Sequence, residues 1–523
     1  MSGKTLYGKS GMVCCSQPLA AQAGLQMLLK GGNAIDAIIA AAATLTVIEP
    51  CSNGIGGDAF ALLWHGGKPY GLNASGPSPM GLNIDVMKQL GFDAMPIYGA
   101  ATINVPGIPS AWAALSSRFG KLGLEGCLAP AVEYARYGFP LSLSVQDDWG
   151  RSYAIFSKKL RGDIFEPWFN TFAPLGRPPR AGELVTIPHM ADTLTEIGKT
   201  NAESFYRGAL AKVIARHISK VGGYLTENDL SSFKPEWVKP LSINYRGYDV
   251  WELPPNGQGI VAQIALNILK GYDFTNKSAV DTAHLQFEAI KLAFEAGRKH
   301  ITDPAFMSID PSELITDEFA DGLRQRIGHE AAYMPKANPH AGGTVYLCAA
   351  DNEGNMVSYI QSNYMGFGSG VVIPGTGIAM HNRGADFSLD AGHVNALAPG
   401  KRTYHTIIPG FLSKDNEAIG PFGVMGGYMQ PQGHVQVVMN TIDFNHCPQR
   451  ALDTPRWQWV SGKSFAVEPD FDISLAKSLA ERGHDMQMSL DSKGFGRGQI
   501  IWRKGNALAG GTEKRTDGYI ALY

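Results

Sequence analysis

Residues 342–362 read GGTVYLCAADNEGNMVSYIQS, a glycine pair followed by a β-hairpin pattern. Val, Leu and Ala at 345, 347 and 349 alternate with Tyr, Cys and Ala at 346, 348 and 350, which is the period of a strand. The turn formers DNEGN follow at 351–355, and 356–362 return as a second strand. The preceding stretch, KANPHAGG at 336–343, is polar and turn-forming and is predicted to be exposed.

The composition excludes several classes of protein. The chain has 523 residues, with 45 Lys and Arg against 47 Asp and Glu, so its formal net charge is −2. A nucleic-acid-binding protein would show a basic excess, and this balance argues against one. Hydrophobic residues make up 44%, which allows a sizeable core and excludes wholesale disorder. The 62 glycines come in pairs and triplets beside apolar residues, which indicates tight turns rather than flexible linkers.

No segment is predicted to enter a membrane. The most apolar stretch, 34–48, is interrupted by Asp36, Thr44 and Thr46 and is too short to cross a bilayer. The N-terminal residues lack the apolar region of a secretory signal. The six cysteines show no zinc-type spacing and are expected to be reduced and mostly buried. We therefore expect the protein in the cytoplasm.

Helical patterns fill much of the chain before the hairpin. Asn33 and Asp36 predict the capping box of an Ala-rich helix that runs to about residue 48. Residues 103–341 are predicted to alternate helical runs with loops. Within them, 281–300 carries an apolar stripe on one face, which indicates a helix facing the core.

Thr344 is followed by an ordered series of polar and glycine-rich motifs. These are SN at 362–363, HNRGADF at 381–387, KRTYHT at 401–406 and PFGVMGG at 421–427. Taken alone, a Thr at the start of a strand carries no functional signal, because Thr is a common strand residue. The glycine clusters match neither a dinucleotide-binding motif nor a P-loop.

Together with earlier blocks, this series resembles the gamma-glutamyltranspeptidase family of N-terminal-nucleophile (Ntn) hydrolases. The blocks are GGNAIDAIIAAAATLTVIEPCSNGIGGDAF from 31, NVPGIPSAW from 104, PAVEYARYGFPLS from 130, NDLSSFKPEWVKPLSINYRGYDVWELPPNGQG from 228, HLQFEAIKLAFEAGRKHITDP from 284 and RTDG from 515. They cover nearly the whole chain. The resemblance implies an α+β fold, the four-layer αββα sandwich of Ntn hydrolases.

The resemblance makes Thr344 the nucleophile and the Gly343–Thr344 bond the point at which the precursor cleaves itself. The Thr344 hydroxyl attacks the Gly343 carbonyl, and water cuts the resulting ester. Gly342 and Gly343 carry no side chains to block the strained geometry of that attack. The freed amine, with an ordinary pKa of about 7.7–8.0, can act as general base for the hydroxyl. The expected subunits, 1–343 and 344–523, share one αββα domain.

The same resemblance assigns further site residues. The backbone N–H groups of Gly426 and Gly427 form the oxyanion hole, where losing one donor typically costs about 3–4 kcal/mol. Ser362 stands where the family has a Thr that hydrogen-bonds the nucleophile. Asp386 matches the aspartate that binds the α-amino group of the substrate. Asn363 is grouped with the substrate-binding residues.

The chain departs from the family pattern at the residues that hold a glutamyl group. The motif R-E-x-A-P, whose Arg clamps the γ-glutamyl carboxylate, corresponds here to LNASGP at 72–77, without Arg. A Gln and a Ser-Ser pair are replaced by Arg383 and by His405-Thr406. An Arg fork pairs a carboxylate bidentately, so a carboxylate near the scissile carbonyl is expected. The segment 387–400 is also shorter than in members that carry a lid loop.

These departures favour a very small amide with an adjacent acid group, and oxamate, giving oxalate and ammonia, is the simplest example. A structural salt bridge for Arg383 and a hydrogen-bonded structural role for His405 remain open. So do two other activities, a glutathione hydrolase or γ-glutamyltransferase and a glutaryl- or cephalosporin-type acylase. A catalytically idle protein that binds small acids is the remote alternative.

No metal or organic cofactor is expected. The expected partner is a small-molecule amide, with no nucleic acid and no membrane. The large and small subunits are expected to come from one precursor, and a dimer of these heterodimers is left open.

Overall fold

The computed structural model describes residues 3–335 and 342–523. Its strands are β1 (Leu6–Gly8), β2 (Gly11–Cys15), β3 (Asp58–His65), β4 (Lys68–Ala74), β5 (Phe139–Pro140), β6 (Leu184–Val185), β7 (Glu236–Val238), β8 (Leu241–Tyr245), β9 (Tyr248–Glu252), β10 (Thr344–Asp351), β11 (Met356–Ser362), β12 (Val372–Ile373), β13 (Ile378–Ala379), β14 (Gly410–Lys414), β15 (Glu417–Met425), β16 (Trp457–Ser461), β17 (Ser464–Val467), β18 (Asp485–Met488), β19 (Arg497–Lys504), β20 (Ala507–Thr512) and β21 (Tyr519–Leu522).

The α-helices of the same residues surround these strands. They are α1 (Pro18–Leu29), α2 (Ala34–Ile48), α3 (Ile84–Gln89), α4 (Ile108–Phe119), α5 (Gly123–Tyr137), α6 (Leu143–Lys159), α7 (Glu166–Phe172), α8 (Pro188–Lys199), α9 (Glu203–Arg207), α10 (Ala209–Lys220), α11 (Glu227–Ser232), α12 (Gly259–Leu269), α13 (Ala279–His300), α14 (Asp317–Arg324), α15 (Met429–Ile442), α16 (Pro448–Asp453) and α17 (Ile473–Glu481).

Two large sheets lie face to face at the centre of the described residues. The strand order is β1-β20-β19-β15-β14-β9-β8 in the first sheet and β21-β2-β10-β11-β3-β4-β7 in the second. Helices α1 and α2 pack on the outer face of the second sheet, and α12 and α15 pack on the outer face of the first. The layers therefore run helix, sheet, sheet, helix, which confirms the predicted four-layer αββα sandwich.

Strands β10 and β11 form the predicted hairpin in the middle of the second sheet. Val345 and Leu347 face the core shared with the helices, whereas Tyr346 and Cys348 face the core between the sheets. Both faces of the hairpin are covered, and every residue of the two strands is buried. The alternation seen in the sequence separates two apolar faces rather than an apolar face from a polar one.

The register of this sheet aligns three polar residues at one end. Thr344 lies opposite Ser362 in the β10–β11 pair, and Ser362 lies opposite Asp58 in the β11–β3 pair. Residues directly opposed in antiparallel strands have Cβ atoms about 4.5–5.5 Å apart. The first residue of β10 is thus held in place by both neighbouring strands.

Helix α2 begins with the predicted capping box. The Asn33 side chain accepts hydrogen bonds from the N–H groups of Ile35 at 3.0 Å and Asp36 at 3.1 Å. The Asp36 carboxylate accepts the Asn33 N–H at 2.9 Å in return. This carboxylate also accepts the N–H groups of Lys121 and Leu122, just before α5. Asp36 therefore links the starts of two helices that pack against each other.

The middle of the chain differs from the prediction of helical runs and loops alone. Strands β8 and β9 form a hairpin at the edge of the first sheet, with Arg246 and Gly247 at positive φ in the turn. Each strand has five residues, so it offers too few positions to show an alternating pattern. The apolar stripe of 281–300 lies in α13 and is buried, as predicted.

The remaining expectations concern cysteines, membranes and the stretch before Thr344. The six cysteines are free, and all but Cys447 are buried. Among the described residues, no helix combines the length and the apolar character that a bilayer span requires. Within the predicted exposed stretch, 336–341 lies outside the described residues, Gly342 is exposed and Gly343 is buried.

Replacing Asp36 with Ala should destabilise the fold. The change leaves the buried N–H group of Asn33 and the part-buried N–H groups of Lys121 and Leu122 without their acceptor. A fully buried unsatisfied group costs about 1–3 kcal/mol, and a partly hydrated one costs less. We expect the free energy of unfolding, measured by urea denaturation, to fall by about 3 kcal/mol. The control Asn83→Ala removes the N-cap of the peripheral helix α3 and should cost about 1 kcal/mol. Equal losses in the two variants would contradict the linking role of Asp36.

Candidate active site

Thr344 is held against the carbonyl group that it is predicted to attack. Its side chain is buried, and its Oγ1 lies 2.9 Å from Oγ of Ser362. The Ser362 hydroxyl donates to the Gly343 carbonyl oxygen at 2.6 Å and accepts the N–H of Tyr364 at 2.8 Å. Because the Ser362 proton is used on that carbonyl, Thr344 is the donor in its bond to Ser362. One hydroxyl therefore contacts both the predicted nucleophile and the carbonyl group of the predicted cleavage site.

Gly343 is packed where no larger residue fits. A Cβ at this position would lie 2.4 Å from the backbone nitrogen of Gly366 and 2.9 Å from the carbonyl oxygen of Tyr364. A Cβ at Gly342 would meet open space instead. The carbonyl of Gly342 accepts the N–H of Gly366 at 2.9 Å. The steric need for glycine thus falls on Gly343, whereas the sequence suggested it for both residues.

Gly426 and Gly427 form the turn between β15 and α15. Their φ angles of 143° and 58° lie in the region that favours glycine. Their carbonyl groups accept the N–H groups of Met429 at 3.0 Å and Gln430 at 3.2 Å. Within the described residues, neither glycine donates its own N–H to another protein group. Two free donors at the start of a helix suit a negatively charged oxygen.

Gly343 and Gly426 line the same cleft, whose volume is about 870 Å³. Small-molecule sites typically span about 300–1,000 Å³, so the cleft is large enough for a drug-sized ligand. The wall also carries charged and apolar side chains, among them Asp148, Arg151, Lys493, Arg497, Tyr98, Phe156, Met488 and Leu490. Gly343, at the predicted cleavage site, and Gly426, in the predicted oxyanion turn, therefore line one cleft.

Arg383 is buried and only partly bonded. Its Nη1 donates to Oγ1 of Thr406 at 3.0 Å, and the guanidinium carbon lies 3.9 Å from the ring centroid of Tyr364. Within the described part of the chain, its Nη2 has no hydrogen-bond partner. Burial lowers the pKa of Arg383. The salt bridge considered as an alternative is not formed among the described residues, and Arg383 keeps one donor free.

Asp386 offers the complementary free acceptor. The hydroxyls of Tyr364 and Tyr428 donate to its Oδ1 at 3.1 Å and 3.0 Å. Its Oδ2 is buried and has no partner among residues 3–335 and 342–523. Burial raises the pKa of Asp386, although Arg383 and the two hydroxyls act in the opposite direction. Tyr364 therefore contacts both charged residues, Arg383 through the face of its ring and Asp386 through its hydroxyl.

His405 and His381 share the carboxylate of Asp58. Nε2 of His405 lies 3.1 Å and Nδ1 of His381 lies 3.5 Å from Oδ2 of Asp58. Burial and the charge of Arg383 lower the pKa of His405 to about 3, so its imidazole is neutral at physiological pH. Burial would raise the pKa of Asp58, but the two imidazoles and Arg383 outweigh burial and lower it. Asp58 is thus a buried counter-charge for Arg383.

Asn363 lies against the turn that precedes β3. A Cβ at Gly54 would be 3.0 Å from its Nδ2, and a Cβ at Gly57 would be 2.8 Å from its Oδ1. The Asn363 amide is buried and forms no side-chain hydrogen bond within the described residues. The Asn363 side chain therefore makes no hydrogen bond to Arg383, Asp386 or Thr344.

Sequence reasoning missed several residues that complete this site, namely Asp58, His381, Tyr364 and Tyr428. All four lie within or beside the recognised motifs, since Asp58 ends GIGGD and Tyr428 follows the glycine pair. The motifs are far apart in the chain, and the sheet register that aligns Asp58 with Ser362 could not be read from them.

One buried group in the described residues has ligand atoms close enough for a metal ion, namely His284, Glu288 and His484. Nδ1 of His284 and Nε2 of His484 are 2.9 Å apart, which is a hydrogen-bond distance. The ammonium of Lys291 lies 2.5 Å from the Glu288 carboxylate. This positive charge already pairs with the carboxylate and opposes a divalent cation there.

Comparison with known proteins gives concordant matches. The family model described as Gamma-glutamyltranspeptidase matches residues 20–523. The Glutathione hydrolase-like YwrD proenzyme of Bacillus subtilis is 36% identical, over 98% of this chain and 99% of its own. The Oxamate amidohydrolase proenzyme of Klebsiella pneumoniae is 34% identical, over 98% of each chain. The solved structure of a cephalosporin acylase from Bacillus halodurans is 56% identical, covers 100% of this chain and 97% of its own, and has a TM-score of 0.97.

The native chain should run as two polypeptides, 1–343 and 344–523, in denaturing electrophoresis, and Thr344→Ala should remain one uncut band.

Ser362→Ala should slow self-cleavage by about 10²-fold, because the Thr344 hydroxyl loses its acceptor and the Gly343 carbonyl loses its donor. Mass spectrometry measures the cut fraction over time. Ser358→Ala, on the same strand but bonded to Tyr346, is the control and should cleave normally. Cleavage of Thr344→Ala at the same bond would refute the nucleophile.

The stability of the fold should depend on His405 below pH 6.5. Its pKa is about 3 in the folded state against 6.5 normally, so between these values only the unfolded state takes up the proton. This histidine should therefore remove about 1.4 kcal/mol of stability for each pH unit of acidification. His405→Gln keeps a donor for Asp58, and its unfolding free energy should fall less steeply from pH 6.5 to 4.5 in urea titrations.

The surface variant His189→Gln is the control for this pH dependence, because His189 is exposed. Its stability should follow the native curve at every pH. Parallel curves for native protein and His405→Gln would contradict a buried, neutral His405.

Proposed function

This chain belongs to the gamma-glutamyltranspeptidase family, and we propose that it hydrolyses the amide of a small substrate that carries a carboxylate. Members of the family are Ntn hydrolases that are processed from one precursor into large and small subunits. The observation that carries the proposal is the free Nη2 of Arg383, a buried cationic donor. Oxamate, which would give oxalate and ammonia, is the first substrate to test.

Self-cleavage would use the contacts already formed at Thr344. Ser362 would pass its own proton to the Gly343 carbonyl oxygen as it accepts the proton of the Thr344 hydroxyl, so the serine stays neutral. Attack of Oγ1 forms a C–O bond to Gly343, and the C–N bond breaks as the proton on the former carbonyl oxygen moves to the nitrogen. Water then hydrolyses the ester, which leaves a carboxylate on Gly343 and a free amine on Thr344.

Amide hydrolysis would then use the freed amine as the base. It takes the Thr344 hydroxyl proton as Oγ1 attacks the substrate carbonyl, and the N–H groups of Gly426 and Gly427 bind the oxyanion. The proton passes to the leaving nitrogen, and ammonia departs from an acyl-enzyme. Water, deprotonated by the same amine, attacks the ester and releases the acid, which restores Thr344.

Arg383 would anchor the carboxylate of the substrate. Nη1 is bound to Thr406, so the carboxylate would meet Nη2, which has no partner among the described residues. A charged hydrogen bond in a buried site typically contributes about 1.5–3 kcal/mol. The carboxylates of Asp386 and Asp58 both act on the charge of Arg383, and the unpartnered Nη2 is the donor that would meet the anion.

A second candidate is an acylase whose substrate combines an acyl carboxylate with a bulky amine. The cleft of about 870 Å³ favours it, because oxamate would fill only a small part of that space. The cephalosporin acylase of Bacillus halodurans, at 56% identity, points the same way.

The free Oδ2 of Asp386 is also suited to an ammonium, as a γ-glutamyl substrate would present.

The cleaved native protein should release ammonia from oxamate with saturable kinetics, and Thr344→Ala should release none. Ammonia is measured with a coupled assay over oxamate, oxalurate, glutamine and glutathione. Release of p-nitroaniline from L-γ-glutamyl-p-nitroanilide and of glutarate from a glutaryl amide tests the two other activities. Fast turnover of one of these two substrates, with no ammonia from oxamate, would reject oxamate hydrolysis. It would favour the γ-glutamyl activity if the anilide is cleaved and the acylase activity if the glutaryl amide is cleaved.

Arg383→Ala should lower kcat/KM for the carboxylate-bearing substrate by about 10²-fold, mainly through KM, because the anchoring charge is lost. Arg383→Lys, which keeps the charge without the fork, should lie between this variant and the native protein. The control is Arg402→Ala, whose guanidinium contacts Ser75 and Glu236 instead. Near-native kinetics of Arg383→Ala would reduce Arg383 to a structural role.

A further inference from the structure

Gln258 lies between the two halves of the site and bonds to both. It immediately precedes α12 and is fully buried. Its Nε2 donates to the carbonyl oxygen of Thr406 at 2.6 Å and to that of Gly427 at 2.8 Å. Its Oε1 accepts the hydroxyl of Tyr404 at 3.1 Å. Both N–H groups and the oxygen of the amide are therefore in use.

These partners fix which way the amide points. Carbonyl oxygens only accept hydrogen bonds, so a flipped amide would set Oε1 against two oxygens. The backbone N–H of Gln258 also donates to the carbonyl of His405 at 2.9 Å. The residue thus holds the segment 405–406 through both its main chain and its side chain.

We propose that Gln258 is a positioning residue that sets the distance between the carboxylate anchor and the oxyanion turn. Thr406 binds Arg383 through its hydroxyl and Gln258 through its carbonyl. Gly427 belongs to the turn whose N–H groups face the developing charge, and its carbonyl is bound by the same amide. This inference rests on the roles given to Arg383 and to the glycine turn in the proposed function.

The spacing matters most for a substrate without a flexible linker. In oxamate the carboxylate carbon is bonded directly to the amide carbon, so the anchor and the oxyanion turn must match one fixed separation. A misplacement of about 1 Å can cost about 10²-fold in rate. An ester without a carboxylate, such as p-nitrophenyl acetate, depends on the oxyanion turn but not on the anchor.

The test compares Gln258→Met with a matched control, Gln263→Met, within the helix α12 that Gln258 precedes. Met has a similar length but cannot donate to the two carbonyl groups. Gln263 is also buried, and its Nε2 donates to the carbonyl oxygens of Leu241 at 2.9 Å and Val250 at 3.1 Å. Rates are normalised to the cleaved fraction determined by mass spectrometry. Thermal unfolding of both variants measures the structural cost of losing such an amide.

We expect Gln258→Met to lower kcat for oxamate by about 10²-fold and the rate on p-nitrophenyl acetate by about tenfold. Gln263→Met should stay within about twofold on both substrates, with a similar loss of thermal stability. Gln258→Asn, which keeps the amide one methylene shorter, should recover part of the rate and serves if the Met variant does not fold.

The outcomes separate this inference from the proposed function. Thr344-dependent hydrolysis of p-nitrophenyl acetate without any turnover of oxamate would contradict the proposed substrate. The effect of Gln258→Met on the ester rate alone would then test whether Gln258 positions the oxyanion turn. A native rate of Gln258→Met on oxamate, or on the ester where oxamate is not turned over, would overturn the inference, and so would an equal loss in Gln263→Met. Absence of Thr344-dependent hydrolysis of both substrates in the native protein would contradict the proposed function and, with it, the inference that rests on it.

Discussion

The Ser362 hydroxyl lies between the Thr344 hydroxyl and the Gly343 carbonyl oxygen, and cross-strand pairing brings these groups together. Thr344 faces Ser362 because β10 and β11 pair in one register, and Asp58 joins the row because β3 pairs with β11. A slip of one residue would turn the Thr344 side chain to the opposite face. Such a slip would also exchange the apolar residues that fill two different cores. The packing of the two cores therefore holds Thr344, the predicted nucleophile, in its position opposite Ser362.

Burial explains the arrangement of charges around Arg383. A buried guanidinium without compensation would be strongly destabilising, and Arg383 is offset by the nearby carboxylates of Asp386 and Asp58, without a direct salt bridge among the described residues. His405 has a pKa of about 3 and is therefore neutral, so it bonds to Asp58 without adding a positive charge. Asp386 and Arg383 each retain one polar atom without a partner in the described residues. Buried polar atoms of this kind are costly unless satisfied, and a substrate that satisfies them gains binding energy.

Much of the fold could be predicted because its signals are local or belong to long motifs. The hairpin, the capping box of Asn33 and the stripe on α13 follow from periodicity and capping chemistry. The hairpin of β8 and β9 could not be predicted, since five-residue strands show no clear period. The motifs indicated Arg383 and His405, but not that His405 bonds to Asp58, some 350 residues earlier, because that contact depends on sheet register.

The position of the cut within the sandwich explains why cleavage would not separate the two polypeptides. Strand β10 pairs with β2 as well as with β11, and β11 pairs with β3. The strands on both sides of the hairpin thus come from residues before 343, so the second sheet remains intact when the 343–344 bond is broken. The new amine would appear at the end of a strand whose place is already fixed by its neighbours. It would belong to the same residue as the hydroxyl that it is proposed to deprotonate, so no further rearrangement would be needed to bring base and nucleophile together.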